Sequence, residues 1–237
     1  ALIVELAKAN KNLVVVNISG NAVAMPWINQ VPAIVQSWYN GSEAGTALAS
    51  VLTGDVNPGG KLPFSFPVSL TDVGAHKLGV YPGKGEVVYH EGIFVGYRWF
   101  EKEKIQPLFP FGHGLSYTTF QYGKVTADRK KLTKGEKITV SVEVTNVGKR
   151  EGSEVVQLYV RDEKSSVSRP VKELKGFEKI SLKPGETKRV DITLDESSLS
   201  FFDAQKHQWV AEPGLFEAVI GSSASDVKGK VSFVLDN

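Results

Sequence analysis

The sequence predicts two regions of different fold class, α/β and then all-β. Three observations predict it. Continuous apolar runs alternate with helical patterns over residues 2–67, and from Phe120 onward the apolar period switches to two. Between these regions, Pro107–Phe120 packs prolines, glycines and aromatics around one histidine. That run is too broken for a helix and too apolar for a free linker, so it reads as an ordered strap buried between two bodies.

In the first region, Leu2, Ile3, Leu6 and Ala7 share a helical face that ends at Asn10-Lys-Asn12. Leu13–Ile18 is a continuous apolar run, expected as a buried strand ending at Ser19-Gly20, and Ala33–Tyr39 repeats the pattern. Ser42 is expected to cap a helix from Glu43 to about Leu52, which Gly54 stops. Lys61–Phe66 is a third strand candidate. Strands separated by helices imply parallel pairing with right-handed crossovers. Three strands and two helices bury little core, so this region is expected to be the tail of a larger α/β domain. The chain also opens inside a helical pattern with no cap before it, so its start is expected to lie within a longer protein.

Residues 71–118 read as an ordered connector between an α/β part at 1–70 and a β-sandwich at 119–237. Glu86–Tyr89 and Phe94–Phe100 are its extended candidates. Beyond it, Phe120–Thr126, Ile138–Asn146, Glu154–Arg161, Val171–Ile180, Lys188–Leu194, Leu199–Asp203, Gln208–Ala211, Leu215–Gly221 and Lys228–Leu235 are strand candidates. Turn signals such as Thr133-Lys-Gly135, Lys183-Pro-Gly185 and Glu212-Pro-Gly214 divide them. So many short alternating strands indicate an immunoglobulin-like or fibronectin-type antiparallel sandwich. Phe177, Phe201, Phe202, Trp209 and Phe216 are its core candidates, and the basic run Arg129–Lys131 reads as a solvated turn.

Of 237 residues, 28 are basic and 26 acidic in mixed order, which has no nucleic-acid or membrane footprint. No apolar run approaches the roughly 18 residues of a membrane span. Without cysteine the chain has no disulfide and no thiolate chemistry. That composition fits exported proteins as well as a reduced compartment. Periplasmic or secreted placement is preferred to cytoplasmic, and the compartment stays open.

The usual chemical signatures fail. Gly41–Gly45 holds no serine at the centre of a nucleophile elbow, and Gly59-Gly-Lys61 lacks the spacing of a phosphate loop. His76, His90, His113 and His207 share no metal-ligand spacing, so neither metal nor cofactor is expected. His113 reads as a packed, hydrogen-bonded structural histidine, and Asn17-Ile-Ser19 and Asn40-Gly-Ser42 match the glycosylation sequon only weakly. Parallel α/β sheets bind ligands beyond the carboxyl ends of their strands, here Asn17–Asn21 and Tyr39–Glu43. Trp38 and Tyr39 can present aromatic faces there. Glu43, at a helix start, suits capping first and pocket lining second.

These motifs together resemble family 3 glycoside hydrolases. Ala33–Pro63 is similar to the family's second domain, and Tyr89–Phe100 and Pro107–Phe120 to its connector. Asn146-Val-Gly148, Glu173–Phe177 and Pro213–Phe216 are similar to its fibronectin type III-like domain. The resemblance implies the C-terminal portion of a retaining exo-β-glycosidase, a β-glucosidase first and a β-xylosidase second. It further implies an N-terminal barrel partner, a β-linked glucoside or xyloside as substrate, and no cofactor. Retention requires two carboxyl groups roughly 5 Å apart. The family's nucleophile, an aspartate in Ser-Asp-Trp, has no counterpart here: Ser225-Asp226 precedes Val227 and reads as a turn. Its acid/base glutamate lies upstream of the segment matching Leu2–Asn10. Glu43 and Glu91 fall outside that place, so the resemblance gives this chain no catalytic residue and predicts it inactive alone. Trp38, Tyr39 and Glu43 are then expected to line one wall of the sugar pocket. The alternatives are a non-catalytic carbohydrate-binding or adhesion module built on the sandwich, and one subunit of a split glycosidase.

Overall fold

A computed structural model describes residues 2–236. Helix α1 (Leu2–Ala9) leads into strand β1 (Val14–Asn17), and β2 (Ala33–Gln36) precedes helix α2 (Ala44–Thr53). β1 and β2 pair in parallel, Val14 with Ala33 through Asn17 with Gln36. Lys61–Phe66 is not a third strand. Its one ladder contact is an antiparallel bridge from Phe66 to Phe109 of the strap, because Pro63 cannot donate and no neighbouring edge is present to extend. Little of this region is enclosed: Ala7 is the one buried residue of α1, and α2 has none. Leu2 remains 73% exposed.

The connector holds a short helix α3 (Gly74–Lys77), and α4 (Tyr97–Lys102) forms where Phe94–Phe100 was expected to be extended. Gly96, at φ 62°, turns the chain into α4, whose Trp99 and Phe100 are buried. Trp99 donates its indole N–H to the Asp72 carbonyl at 3.0 Å. Around Glu86–Tyr89 the ladder reduces to a single bridge between Lys84 and Glu86.

The sandwich follows the period-two pattern closely. One sheet orders as β5 (Lys131–Leu132), β13 (Val227–Leu235), β12 (Gly214–Gly221), β7 (Gly152–Asp162) and β8 (Glu173–Leu182). In the other, β3 (Phe120–Tyr122) and β4 (Thr126–Ala127) follow one edge of β6 (Lys137–Asn146), with β9 (Thr187–Asp195) along its opposite edge. Alternate residues point inward: Ile138, Val140, Val142 and Val144 of β6 meet Val156, Leu158 and Val160 of β7. Phe216 stacks on Phe233 at 5.9 Å. Two turns share one device. Glu136 accepts from the Thr133 N–H at 3.0 Å and Glu186 from the Lys183 N–H at 2.8 Å, each just after a glycine of positive φ.

Three expectations fail here. Lys131 belongs to β5 and not to a turn, since Val234 offers it a parallel edge. Phe177 is 68% exposed, because it lies opposite Gln157 on the outer face of β8. Phe202 and Trp209 pair across a separate hairpin of β10 (Phe201–Asp203) and β11 (Gln208–Val210) and are exposed, while Phe216 is buried as expected.

Strap Pro107–Phe120 joins the regions. On one side the Leu62 N–H donates to the His113 carbonyl at 2.8 Å, and the Gly112 N–H to the Leu62 carbonyl at 2.8 Å. On the other, the Ala224 N–H donates to the Phe111 carbonyl at 2.9 Å, and the Gln157 amide to Gly112 at 3.3 Å. Gly112 has φ 79°, and a Cβ there would come 2.3 Å from Gln157 Oε1, so glycine is required twice over. Asn57 completes the join: it donates to the Glu151 carbonyl at 2.9 Å and accepts from the Tyr117 N–H at 2.8 Å and Ser116 Oγ at 3.0 Å.

Candidate functional site

At the carboxyl ends of the parallel pair, side-chain amides continue the ladder. Asn17 donates to Gln36 Oε1 at 2.5 Å and to Ser19 Oγ at 2.9 Å, and Gln36 donates to the Ser19 carbonyl at 3.2 Å. This engages the first sequon asparagine. The amide of the second, Asn40, donates to Ser37 Oγ at 2.5 Å.

Trp38 follows with φ 53°, a left-handed conformation that is rare and costly for a bulky residue. The turn places its indole edge-on to Phe64 at 5.3 Å and to Phe66 at 6.4 Å. Tyr39 turns outward and is 78% exposed. Its ring crosses Gly20, where a Cβ would meet Tyr39 Cε2 at 2.9 Å, so the close approach depends on the missing side chain. Gly41, at φ 70°, then turns the chain into α2.

Glu43, not Ser42, is the N-cap residue of α2, and its side chain makes no capping hydrogen bond. The expected Ser42 cap therefore does not form. Glu43 stands exposed beside Tyr39's segment, free of the capping role that its position suggested. The structure thus gathers Tyr39 and Glu43 on an exposed rim and seats Trp38 beneath it on two phenylalanines. Asn17–Asn21 and Ser37–Glu43 contain one carboxylate between them, whereas a double-displacement glycosidase needs two. The arrangement can offer an aromatic face and hydrogen-bond acceptors to a sugar. It does not hold a nucleophile and acid/base pair.

Sequence reasoning missed the Asn17–Gln36–Ser19 network, the seat at Gly20 and the turned backbone of Trp38. Paired amides at two strand ends were the available signal, and only the register shows that they meet. His113 is packed as expected, stacked on Phe109 at 5.2 Å. Burial and the Lys61 charge lower its pKa against the opposing effect of Asp226, and among the described residues its ring has no hydrogen bond. Ser225-Asp226 does sit in the β12–β13 turn, where the Ser222 N–H donates to the Asp226 carbonyl at 3.1 Å. Among the described residues no cluster of histidine and carboxylates could hold a metal ion, and no helix is long and apolar enough to cross a membrane.

Residues 1–97 match the glycosyl hydrolase family 3 C-terminal domain, and residues 154–224 match the fibronectin type III-like domain. The chain carries the C-terminal domain of glycosyl hydrolase family 3. It is 54% identical to beta-glucosidase BoGH3A of Bacteroides ovatus over 98% of its own length and 32% of that protein's. Against thermostable beta-glucosidase B of Acetivibrio thermocellus the identity is 48%, over 98% of this chain and 30% of the relative. The crystal structure of a beta-glucosidase from Kluyveromyces marxianus in complex with glucose superposes with a TM-score of 0.92 at 44% identity, covering 100% of this chain and 28% of that one. The chain therefore spans about a third of the length of the relatives it matches. Its fold is that family's C-terminal α/β domain with a fibronectin type III-like sandwich.

Proposed function

We propose that this chain is the C-terminal part of a retaining exo-β-glucosidase, in which it supplies a wall of the sugar pocket and the scaffold between domains. The observation that carries this reading is the 54% identity to a beta-glucosidase along 98% of the chain. Trp38, Tyr39 and Glu43 form the wall, at the strand ends where α/β sheets hold their ligands. Both catalytic carboxylates lie outside this chain, the nucleophile on an N-terminal barrel and the acid/base glutamate on a loop upstream of the segment matching Leu2–Asn10. The uncovered apolar side chains Leu2, Leu6 and Ile18 support a further body packed over the α/β part. With this reading goes a division into 1–70, 71–118 and 119–237. β-Linked glucosides are the substrates and β-xylosides the second specificity. The test is hydrolysis of 4-nitrophenyl β-D-glucoside and β-D-xyloside, by the chain alone and by a protein that also carries the barrel and that upstream loop. The chain alone is expected to give no turnover. With the barrel, glucoside is expected to be preferred and Tyr39→Ala to raise KM. Turnover by the chain alone, abolished by Glu43→Gln, would overturn the reading.

One observation favours a second reading, a carbohydrate-binding module. Phe202 and Trp209 stand edge to face at 5.8 Å on the exposed β10–β11 hairpin, where aromatic rings can pack against sugar. Affinity electrophoresis in soluble β-glucan separates the two: retardation abolished by Trp209→Ala supports the module, and unretarded migration removes it.

A further inference from the structure

The loop after β2 carries Asn40-Gly41-Ser42, the second of the two sequons and the one Asn-Gly pair in the sequence. All three residues are exposed. Gly41 has φ 70°, and a Cβ built there would meet nothing within 4 Å. The turn is closed loosely, by the Ala44 N–H donating to the Gly41 carbonyl at 3.3 Å. Among the described residues the Gly41 N–H donates to no acceptor. The Asn40 side chain makes one hydrogen bond among them, from its amide to Ser37 Oγ at 2.5 Å.

The side-chain carbonyl carbon of an asparagine lies next to the backbone nitrogen of the following residue. That nitrogen attacks it when it has a proton to lose, a backbone free to turn, and no side chain to crowd the ring that forms. Glycine meets all three conditions. Asn10, Asn12, Asn21 and Asn29 are exposed too, but they precede Lys11, Leu13, Ala22 and Gln30, whose side chains crowd the ring. Asn57 precedes Pro58, whose nitrogen carries no hydrogen. Exposure is thus shared by several asparagines, and the reactive neighbour belongs to Asn40.

We propose that Asn40 is a site of spontaneous deamidation in the folded chain, restrained there by its hydrogen bond to Ser37. Hydroxide takes the proton of the Gly41 N–H, and the nitrogen lone pair bonds to Asn40 Cγ. The Cγ–Nδ2 bond then breaks, and Nδ2 takes up a proton and leaves as ammonia. Water opens the resulting cyclic imide at one of its two C–N bonds. Opening at Cγ gives aspartate, and opening at the Asn40 backbone carbonyl gives isoaspartate, with the chain running through Cβ. One water is exchanged for one ammonia, and nothing is oxidised or reduced. Either product adds a carboxylate to the rim that holds Glu43, and isoaspartate also lengthens the backbone at the entry to α2.

The test is peptide mapping by mass spectrometry of the 237-residue chain kept in mildly alkaline buffer, with a sample unfolded in urea alongside. Asn40 should convert ahead of Asn10, Asn12, Asn21 and Asn29 in both samples. The Ser37 hydrogen bond has to break before Nδ2 leaves, so the folded chain should react about fivefold more slowly than the unfolded one, the equivalent of one hydrogen bond. Ser37→Ala should bring the folded rate up to the unfolded one, and the two unsubstituted samples carry the test if that variant folds poorly. A folded chain slowed by more than about thirtyfold, beyond what one hydrogen bond supplies, would show that the fold locks the turn and would overturn the proposal. So would another asparagine reacting first, or a folded Ser37→Ala chain that reacts no faster than the parent.

Discussion

The sandwich and the α/β part bury their apolar residues to very different extents, although one chain supplies both. Ile138, Val144, Leu158, Leu194 and Phe216 are fully shielded between two sheets. In the α/β part the apolar runs are just as long, yet no residue of β1 or β2 is buried. The sandwich has both halves of its core within this sequence. The parallel pair has one side only, and what holds it is the strap and a few polar fasteners. Hydrophobic sequence is therefore a statement about what a segment needs, and burial is a statement about whether the chain contains its partner.

That contrast can be broken by measurement. Its strongest consequence lies in the sandwich core: Phe216→Ala should cost about 3–5 kcal/mol in chemical denaturation of the chain. A loss below about 1 kcal/mol would show that this core is looser than its shielding implies.

Next comes the fastening of the connector to the sandwich. Glu173 accepts from Arg169 at 2.8 Å and lies 3.3 Å from Arg98 of α4 and 3.8 Å from Lys175. Burial raises its pKa, but the Arg169 hydrogen bond and the charges of Lys175, Arg169 and Arg98 outweigh that and hold it below 4.5. A folded-state value below the unfolded one gives stabilisation that is complete above the unfolded pKa and lost as pH falls through the folded one. Glu173→Gln should thus cost about 1.5–3 kcal/mol at neutral pH. It should also flatten the acid limb of a melting-temperature profile below pH 4.5. An unchanged acid limb would remove Glu173 from the account of how the two regions are joined.

The smallest effect sharpens the comparison most. Leu52 of α2 is 48% exposed, and alanine is the better helix former. Leu52→Ala should change the stability of this chain by no more than about 0.5 kcal/mol. In protein that also carries the barrel, the same substitution should cost up to about 2 kcal/mol if that face is covered. Equal costs in the two proteins would mean that α2 stays bare.

What could be read from the sequence follows the same division. Strands β6 to β9, β12 and β13 fall within two residues of their expected limits, because alternation and the Gly-Glu turns both specify them. Alternation tells which residues share a face but not which face is covered, and so Phe177 was misplaced. Phe202 and Trp209 belong to a hairpin outside the two sheets, which no local pattern distinguishes from a core strand. Phe94–Phe100 looked extended because of its aromatic and β-branched content, yet Gly96 starts a helix there. The place of Glu43 beyond the strand end was legible, but Ala33–Tyr39 was expected as strand and β2 stops at Gln36, which leaves Trp38 and Tyr39 outside it. The conformation that half-buries one ring and exposes the other was not, since it depends on Gly20, nineteen residues from Tyr39, and on Phe64 and Phe66.

Asn57 has a consequence for the order of folding. Its amide reaches Glu151, 94 residues on, and Tyr117, 60 residues on. Contacts of such sequence separation carry a large loop-closure cost, while the hairpins of the sandwich close short loops. Asn57 and the loop around it are made before the sandwich, and their anchorage waits until β7 and the strap have been made. For that interval the loop has no docking site, and its exposure to proteolysis is set by how fast the sandwich forms.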